Sequence, residues 1–537
     1  MVRYSILPVT ALFLAASSVH AGRNDWSKAC HGGECSYDLT GRNGGSISIA
    51  GAPNAISDIT TAGGWTILNC KPDTRVQDIR VICTDRKCNH LYNGHGAVNT
   101  IVRLPESCTD APFARVAKEW KHSDQSVPDH VLKAIKRDRS ASVRGLSLDT
   151  NFSAVDPNVT GNVTFVIAGA SQSGDTGNFT ETSAIASRGF FSDLGDALKS
   201  LNTVTFNKDA AYPITFDKSV TIVDQSISCP QTGSIPAFNG DFKIAGEAKV
   251  DATLDFAVAA TGTIIPPKLT GFGLVSELDG RVDGLLTVTA SAGASLTIAK
   301  KNLLTIGIPG LSVAGILTIG PAFVVSASAV ANLNAQANFD VDLAYILNGA
   351  RLEFPPSVGS SGGVFSPGDM SLNIAATPNA AVNGNVEAHL IPAATFGVNA
   401  FDGDATAEID LTVDTYGKLD LSLTAQGSAS AGTSGSSASG SFNGCVDVNA
   451  GLAVTAGANA QLFNIFDKST SVTLYQKNFD VFSKCFSGSQ STKKDSILQT
   501  REHARDIKKR GLTCPTIATG VSTVASQVVS AAKISPK

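Results

Sequence analysis

The chain has 537 residues, 43% of them apolar and 16% charged, with 50 glycines; this is too long for one ordinary core and too apolar for a disordered chain, so roughly two to four packed units are expected. Forty-two Lys plus Arg against 46 Asp plus Glu leave a formal charge of −4, which supplies no field of one sign and sets nucleic-acid binding aside. Composition excludes collagen and coiled coil, and no internal apolar run approaches the roughly 20 residues of a membrane-spanning helix.

Residues 1–21 carry Arg3, an apolar stretch over Ala11–Ala16 and then Val19-His20-Ala21, the order of a secretory signal peptide with cleavage before Gly22. The other reading is an ordinary buried helix. An exported chain makes its ten cysteines candidates for disulfides. Cys30, Cys35, Cys70, Cys83, Cys88 and Cys108 form a framework within the first 108 residues, with the pairing open. The competing reading is a zinc site from Cys83, Cys88, His90 and His95. Cys445 opens one strand-like segment and Cys485 closes the next, so a bridge between them would staple a hairpin; Cys229 with Cys514 then follows only by elimination.

Trp26, Trp65 and Trp120 and six of the eight histidines precede residue 131, while the long Ala/Gly/Ser/Thr-rich stretches follow it. Residues 22–137 hold fifteen basic and twelve acidic side chains, net +3, whereas residues 138–510 hold 24 and 34, net −10. The expected division is a Cys-rich N-terminal domain over 22–137, a glycosylated leading segment over 138–240, a long-stranded β domain over 241–490 and a C-terminal tail over 491–537. Sequons at Asn151, Asn158, Asn162 and Asn178 mark an exposed, sugar-bearing surface. The basic pairs Lys136-Arg137 and Lys509-Arg510 stand at the composition boundaries and read as sites for kexin-type processing, against the plainer reading of solvated charge.

From Phe242 to Val258 apolar and polar residues alternate, and the same period of two runs from Arg281 to Ile298 and from Phe323 to Tyr345. Shorter runs cover Val382–Leu390, Ala405–Val413, Leu419–Ala425 and Val446–Leu462, with Tyr416-Gly417-Lys418 read as a hairpin turn. Period two over such distances predicts antiparallel sheet with one face buried and one wet. The third run would reach about 70 Å at ~3.3 Å per residue if unbroken. Alanine dominates mid-run, which lets facing sheets approach closely, so the expected architecture is a tall β-sandwich or flattened barrel.

Leu303–Pro321 is apolar and broken by Gly and Pro, and reads either as a loop plugging the sheet or as an exposed, lipid-touching loop. Gln426–Gly444 reads as a flexible connector. In the tail, Ile517, Val521, Val524 and Val528 fall at helical spacing, which predicts a short amphipathic helix. Beyond residue 137 only His389 and His503 remain, and no His-Glu-x-x-His motif occurs. Asp279 with Asp283, or Asp340 with Asp342, would supply the two carboxylates of a glycosidase, and as ordinary solvated charges they would supply nothing. Asp402, Asp404, Thr406 and Glu408 place oxygens at alternate positions without the order of an EF-hand. No catalytic, cofactor-binding or metal residue is assigned, and no cofactor is expected.

Cys30-His-Gly-Gly-Glu-Cys35-Ser-Tyr-Asp-Leu39, Ala55–Ile59, Gly64–Leu68 and Val102–Pro105 together resemble the N-terminal module of exported mushroom-type fungal proteins of unknown function. Ile308–Leu311, Gly315–Gly320, Gly444–Asp447 and Phe482–Phe486 are similar to a fungal β-rich domain of unknown function. The resemblance implies a fungal, secreted protein and brings no activity with it. The function expected from the whole is a non-enzymatic structural or surface-interaction component of the cell wall or extracellular space, with wall polysaccharide or lipid as partner. A lipid-binding or membrane-active β-protein and a carbohydrate-active enzyme are the alternatives. If the first basic pair is cut, secreted protein contains an N-terminus at Asp138, read by terminal sequencing; only intact chains would remove the processing reading.

Overall fold

The computed structural model describes residues 24–536 apart from 40–43, 109–110, 136–141, 172–200, 202–203, 207–210, 233–236, 335–336, 357–358, 377–381, 426–441, 462–468, 487–510, 515–521 and 532–533. The first 170 residues give nine short strands: β1 (Glu34–Leu39), β2 (Gly45–Ala50), β3 (Ile56–Asp58), β4 (Trp65–Asn69), β5 (Gln77–Cys83), β6 (Ile101–Arg103), β7 (Phe113–Lys121), β8 (Arg144–Asp149) and β9 (Val163–Ala170). Longer strands follow: β10 (Tyr212–Cys229), β11 (Phe238–Ile265), β12 (Lys268–Ala290), β13 (Gly293–Gly307), β14 (Leu311–Val313), β15 (Leu317–Leu333), β16 (Ala337–Phe354), β17 (Gly362–Pro367), β18 (Met370–Ala376), β19 (Val382–Ala400), β20 (Ala405–Ala425), β21 (Phe442–Gln461) and β22 (Ser469–Phe486). The tail adds β23 (Gly511–Thr513), β24 (Ser522–Val529) and β25 (Ser535–Pro536).

These build three sheets. The first runs β1-β2-β9-β11-β12-β16-β18-β24, with β10 also on β11 and β17 on β16. The second runs β23-β13-β15-β19-β20-β21-β22-β25, with β14 on β15. The third, smaller one runs β3-β6-β7-β8-β5-β4, antiparallel except where β3 and β6 lie parallel. The fold is mainly β, with the two large sheets sharing one core, as the alternating runs imply. Lys243, Glu247, Lys249 and Asp251 face water along β11 while Phe242, Ile244, Ala248 and Val250 are buried. Across the interior, Phe256 of the first sheet meets Phe396 of the second edge-on, with ring centroids 5.8 Å apart.

β11 is 28 residues long, about 90 Å of contour at ~3.3 Å per residue, so its length is real. The run from Arg281 to Ile298, however, is two strands. β12 ends in the first sheet at Ala290 and β13 begins in the second at Gly293. The run from Phe323 to Tyr345 divides likewise, β15 going to the second sheet and β16 to the first.

Three other local expectations are corrected. Tyr416-Gly417-Lys418 is no turn, because β20 passes straight through it, paired with β19 and β21 on both sides. Gly417 faces the interior, where a Cβ on it would make ordinary contact with Leu343 at 3.5 Å and Leu286 at 3.6 Å of the facing sheet, so neither a turn nor tight packing demands a glycine there. The short helix of the tail is instead the edge strand β24, paired with β18, and its alternation leaves Val528 75% exposed and Val529 6%. β-Branched residues at an open sheet edge overrode the 3.6-residue spacing. Leu303–Pro321 is not a loop on the surface. It forms the end of β13, β14 and the start of β15, with Ile308, Leu311, Val313, Ile316, Leu317 and Ile319 all buried. Leu311 fills the gap left by Gly45 and Gly169, where Cβ atoms would lie 3.1 and 2.9 Å from its methyls.

All ten cysteines are bonded: Cys30–Cys35, Cys70–Cys108, Cys83–Cys88, Cys229–Cys514 and Cys445–Cys485. The last staples β21 to β22, with Cys445 and Cys485 directly opposite each other, as the hairpin bridge expected from the sequence. Cys83 and Cys88, bonded to each other, offer no thiolate to zinc.

The small sheet does not close at residue 137. β8, beyond that point, lies between β7 and β5, while β1 and β2, before it, belong to the first large sheet. The chain therefore crosses between the two layers on both sides of the expected boundary.

Tyr345, fully buried on β16, donates its hydroxyl hydrogen across the interior to the carbonyl of Gly451 on β21 at 3.0 Å. Tyr345→Phe should lower unfolding free energy by about 1–2 kcal/mol in a denaturant titration with an unchanged slope, since one buried hydrogen bond is lost and no surface is exposed.

Candidate functional site

A cleft of about 520 Å³ opens on the small sheet, lined by residues that include Trp26, Thr60, Thr61, Trp65, Thr66 and Glu106. That volume falls in the range of ligand sites. The lining comes from three distant stretches: the segment before β1, the loop from β3 into β4, and the Pro105–Cys108 turn. The Cys70–Cys108 bridge, itself on the wall, brings the last two together.

A buried ion pair fixes the geometry. Asp58, wholly buried at the end of β3, receives Arg103 Nη2 at 2.5 Å and Nε at 3.1 Å. The same carboxylate accepts the Thr60 amide at 2.8 Å and the Thr60 hydroxyl at 2.5 Å, which sets one wall. The guanidinium lies 5.0 Å from the Trp26 ring centroid, a cation–π contact, and also donates to the Lys28 carbonyl at 2.6 Å. Tyr37 meets the same indole edge-on at 5.9 Å. One charge pair thus positions both the hydroxyl wall and the aromatic wall.

Glu106 is held by Asn24, whose Nδ2 donates to Oε1 at 2.7 Å. Trp65 is 1% exposed and its indole nitrogen, buried, has no hydrogen-bond partner among the described residues. Beside the ion pair, His31 and His90 stack at 4.1 Å. Burial holds both below the usual histidine range, so the stack is neutral near pH 7.

The residues nominated from the sequence lie elsewhere. Asp283 is held by Arg281 Nε at 2.7 and 2.8 Å, and Asp279 accepts the Gly349 amide at 2.7 Å. Asp342 accepts the Ser371 hydroxyl, and Asp340 receives Asn373 Nδ2 at 3.5 Å. Asp283 and Asp342, from different strands, do share a groove of about 300 Å³ on the outer face of the first sheet, together with Lys249, Arg281 and Asp369. Asp402 pairs with Arg75 at 3.9 Å, and among the described residues no His, Cys, Asp or Glu group has the geometry to hold a metal ion. Asn151, Asn158 and Asn162 are exposed, as glycan addition requires. Asn178, Lys136, Arg137, Lys509, Arg510 and the signal segment lie outside the described residues.

Between the large sheets, the space beside Gly246, Gly284 and Leu390 amounts to about 20 Å³, room for one water and not for an acyl chain. No helix among the described residues is long and apolar enough to cross a membrane.

Sequence reading missed the cleft because its walls are far apart in the chain, although the early tryptophans and the Thr60-Thr61 pair were visible. No family model, curated protein or solved structure matches the chain.

A second polar cluster lies on the outer face of the second sheet. His389 on β19 bonds Asp414 through Nδ1 at 2.8 Å and Glu387 through Nε2 at 3.0 Å, with the Tyr416 ring 5.2 Å away. Burial opposes the imidazolium, but the hydrogen bonds and charges of Asp414 and then Glu387 outweigh it and raise the pKa. A raised pKa stabilises the fold fully below the unfolded value of about 6.5 and less as pH climbs through the folded value. Thermal unfolding should therefore show wild type losing stability relative to His389→Gln above about pH 6.5. A constant difference from pH 6 to 9 would contradict the paired imidazolium.

Proposed function

We propose that the chain is a secreted, glycosylated, non-enzymatic fungal β-protein acting at the cell wall or in the extracellular space, and that the Trp26 cleft is where it grips a wall polysaccharide. The carrying observation is the cleft itself. An indole face offers a flat apolar surface to the C–H face of a sugar ring, and the Thr61, Thr66 and Ser107 hydroxyls with the Glu106 carboxylate offer hydrogen-bond partners to its edge. Five disulfides and exposed sequons are compatible with an oxidising, extracellular route. The resemblance of the Cys30–Leu39 and Ile308–Leu311 motifs to exported fungal proteins supports the source.

The same observations count against the alternatives. A membrane barrel needs an apolar band facing outward, whereas β11 and β20 point Lys249, Asp251, Asp410 and Asp414 away from the core. A glycosidase needs two carboxylates free to act, and Asp279, Asp283 and Asp342 are each engaged by a neighbour.

In sedimentation with insoluble β-glucan and chitin, wild-type protein should be depleted from solution by at least one of them. Trp26→Ala should weaken that binding about fivefold to tenfold, the equivalent of about 1–1.4 kcal/mol of lost stacking, with unchanged circular dichroism. Equal binding by a folded Trp26→Ala protein would remove the cleft from the reading, and absence of binding to every wall polymer would sink it.

A further inference from the structure

Each basic pair divides segments that the fold ties together, and the two ties differ in kind. Around Lys136-Arg137 the exchange is reciprocal. β8 follows the pair yet sits inside the small sheet, its residues paired with Gln77–Val81 of β5 and Arg115–Lys121 of β7. Leu146 and Leu148 of β8 are buried in that sheet's core with Ile79, Val81 and Val116. In return β2, before the pair, extends the first large sheet by pairing Gly45–Ala50 with β9. Arg115 donates to Asp149 from Nε at 2.8 Å and Nη2 at 2.5 Å, and Arg144 pairs with Glu119, so two ion pairs also span the division. The disulfides Cys30–Cys35, Cys70–Cys108 and Cys83–Cys88 all close before it.

After Lys509-Arg510 the tie is covalent. Cys514 is bonded to Cys229 at the end of β10. The remaining tail adds β23 to β13 and β25 to β22 in the second sheet, and β24 to β18 in the first. The last 27 residues thus grip both large sheets, at opposite margins of the second.

We infer that cutting at both pairs releases neither end, and that the processed molecule is a three-piece particle. The N-terminal piece is held without a covalent link, by interlocked strands and two ion pairs, and the C-terminal piece by Cys229–Cys514 together with its three strand pairings. The N-terminal piece is then no detachable leader: without β8 its sheet lacks an interior strand, and without β2 the long sheet loses an edge. The Trp26 cleft consequently stays on the sandwich after processing. This rests on the reading of the two pairs as processing sites, and the test separates the two claims.

Full-length protein in which each pair is replaced by the recognition site of a sequence-specific protease is purified and cut to completion. Native mass spectrometry and gel filtration should give one particle of the uncut mass, increased only by the two waters of hydrolysis. In denaturant without reductant, the N-terminal piece should separate while the C-terminal piece stays with the body; reductant should then free it. Cys514→Ser protein, cut the same way, should shed the C-terminal piece in denaturant alone. An N-terminal piece that elutes by itself from the native column would overturn the inference, as would a C-terminal piece that leaves wild-type protein in denaturant without reductant. Host-secreted protein found intact at both pairs would remove the processing reading and leave the retention result standing.

Discussion

The need to pair every backbone N–H and C=O along β11 organises the molecule. A 28-residue strand buried on one face has far more donors and acceptors than a neighbour of ordinary length can satisfy. β12 serves one side over most of its length. The other side is shared, β10 taking Phe238–Leu254 and β9 taking Ala257–Ile265. β9 in turn is satisfied by β2 and β2 by β1, so the sheet grows into the first fifty residues of the chain. The N-terminal segment is therefore built into the sandwich and not appended to it.

The interior obeys a second constraint. Alanines at 248, 252, 327, 329 and 331 and glycines at 246, 284 and 417 line mid-strand inner positions, while Phe242, Phe256, Phe323, Phe339 and Phe396 fill other levels of the core. Small residues bring the sheets close, leaving about 20 Å³ beside Gly246 and Gly284. A strand pattern that by periodicity alone suits an acyl-chain binder becomes a tightly packed support. The small sheet's cleft, by contrast, opens to the surface beside Trp26 and Trp65.

Period two made the long strands and their buried faces legible, and the cysteine positions made the β21–β22 staple legible. What the pattern hides is the point at which a run changes sheet. Ala290 and Ala292, or Leu333 and Ala337, keep the same parity across the turn, so a connection between sheets leaves no break in the alternation. Gly417 misleads for a related reason, since a glycine within a paired strand is identical in sequence to one that makes a turn, and only the pairing of β20 with β19 and β21 tells them apart. In the tail, Val528 completes a helical spacing in sequence yet faces water in β24 while Val529 is buried, and the decision lies with the edge of β18, some 150 residues away. The cleft was hidden most completely, because residues 26, 60–66 and 105–108 meet only through the small sheet and the Cys70–Cys108 bridge.

The Asp58–Arg103 pair shows why such a site occurs where it does. Removing two charges from water costs several kcal/mol per ion, and apolar residues of equal volume would stabilise the core as well or better. The pair is retained here with its remaining hydrogen-bonding capacity directed at neighbours: Asp58 toward Thr60 and the Cys30 amide, Arg103 toward the Lys28 carbonyl and the Trp26 face. Apolar replacements would fill the space but could not orient a threonine hydroxyl and an indole ring at once. The cost is met where three disulfides already stiffen the segment, so the pair contributes direction more than stability. Rigid aromatic and hydroxyl walls, set before any ligand arrives, are what a weak and repetitive partner such as a polymer surface requires, because each contact yields little free energy and none remains for ordering the site.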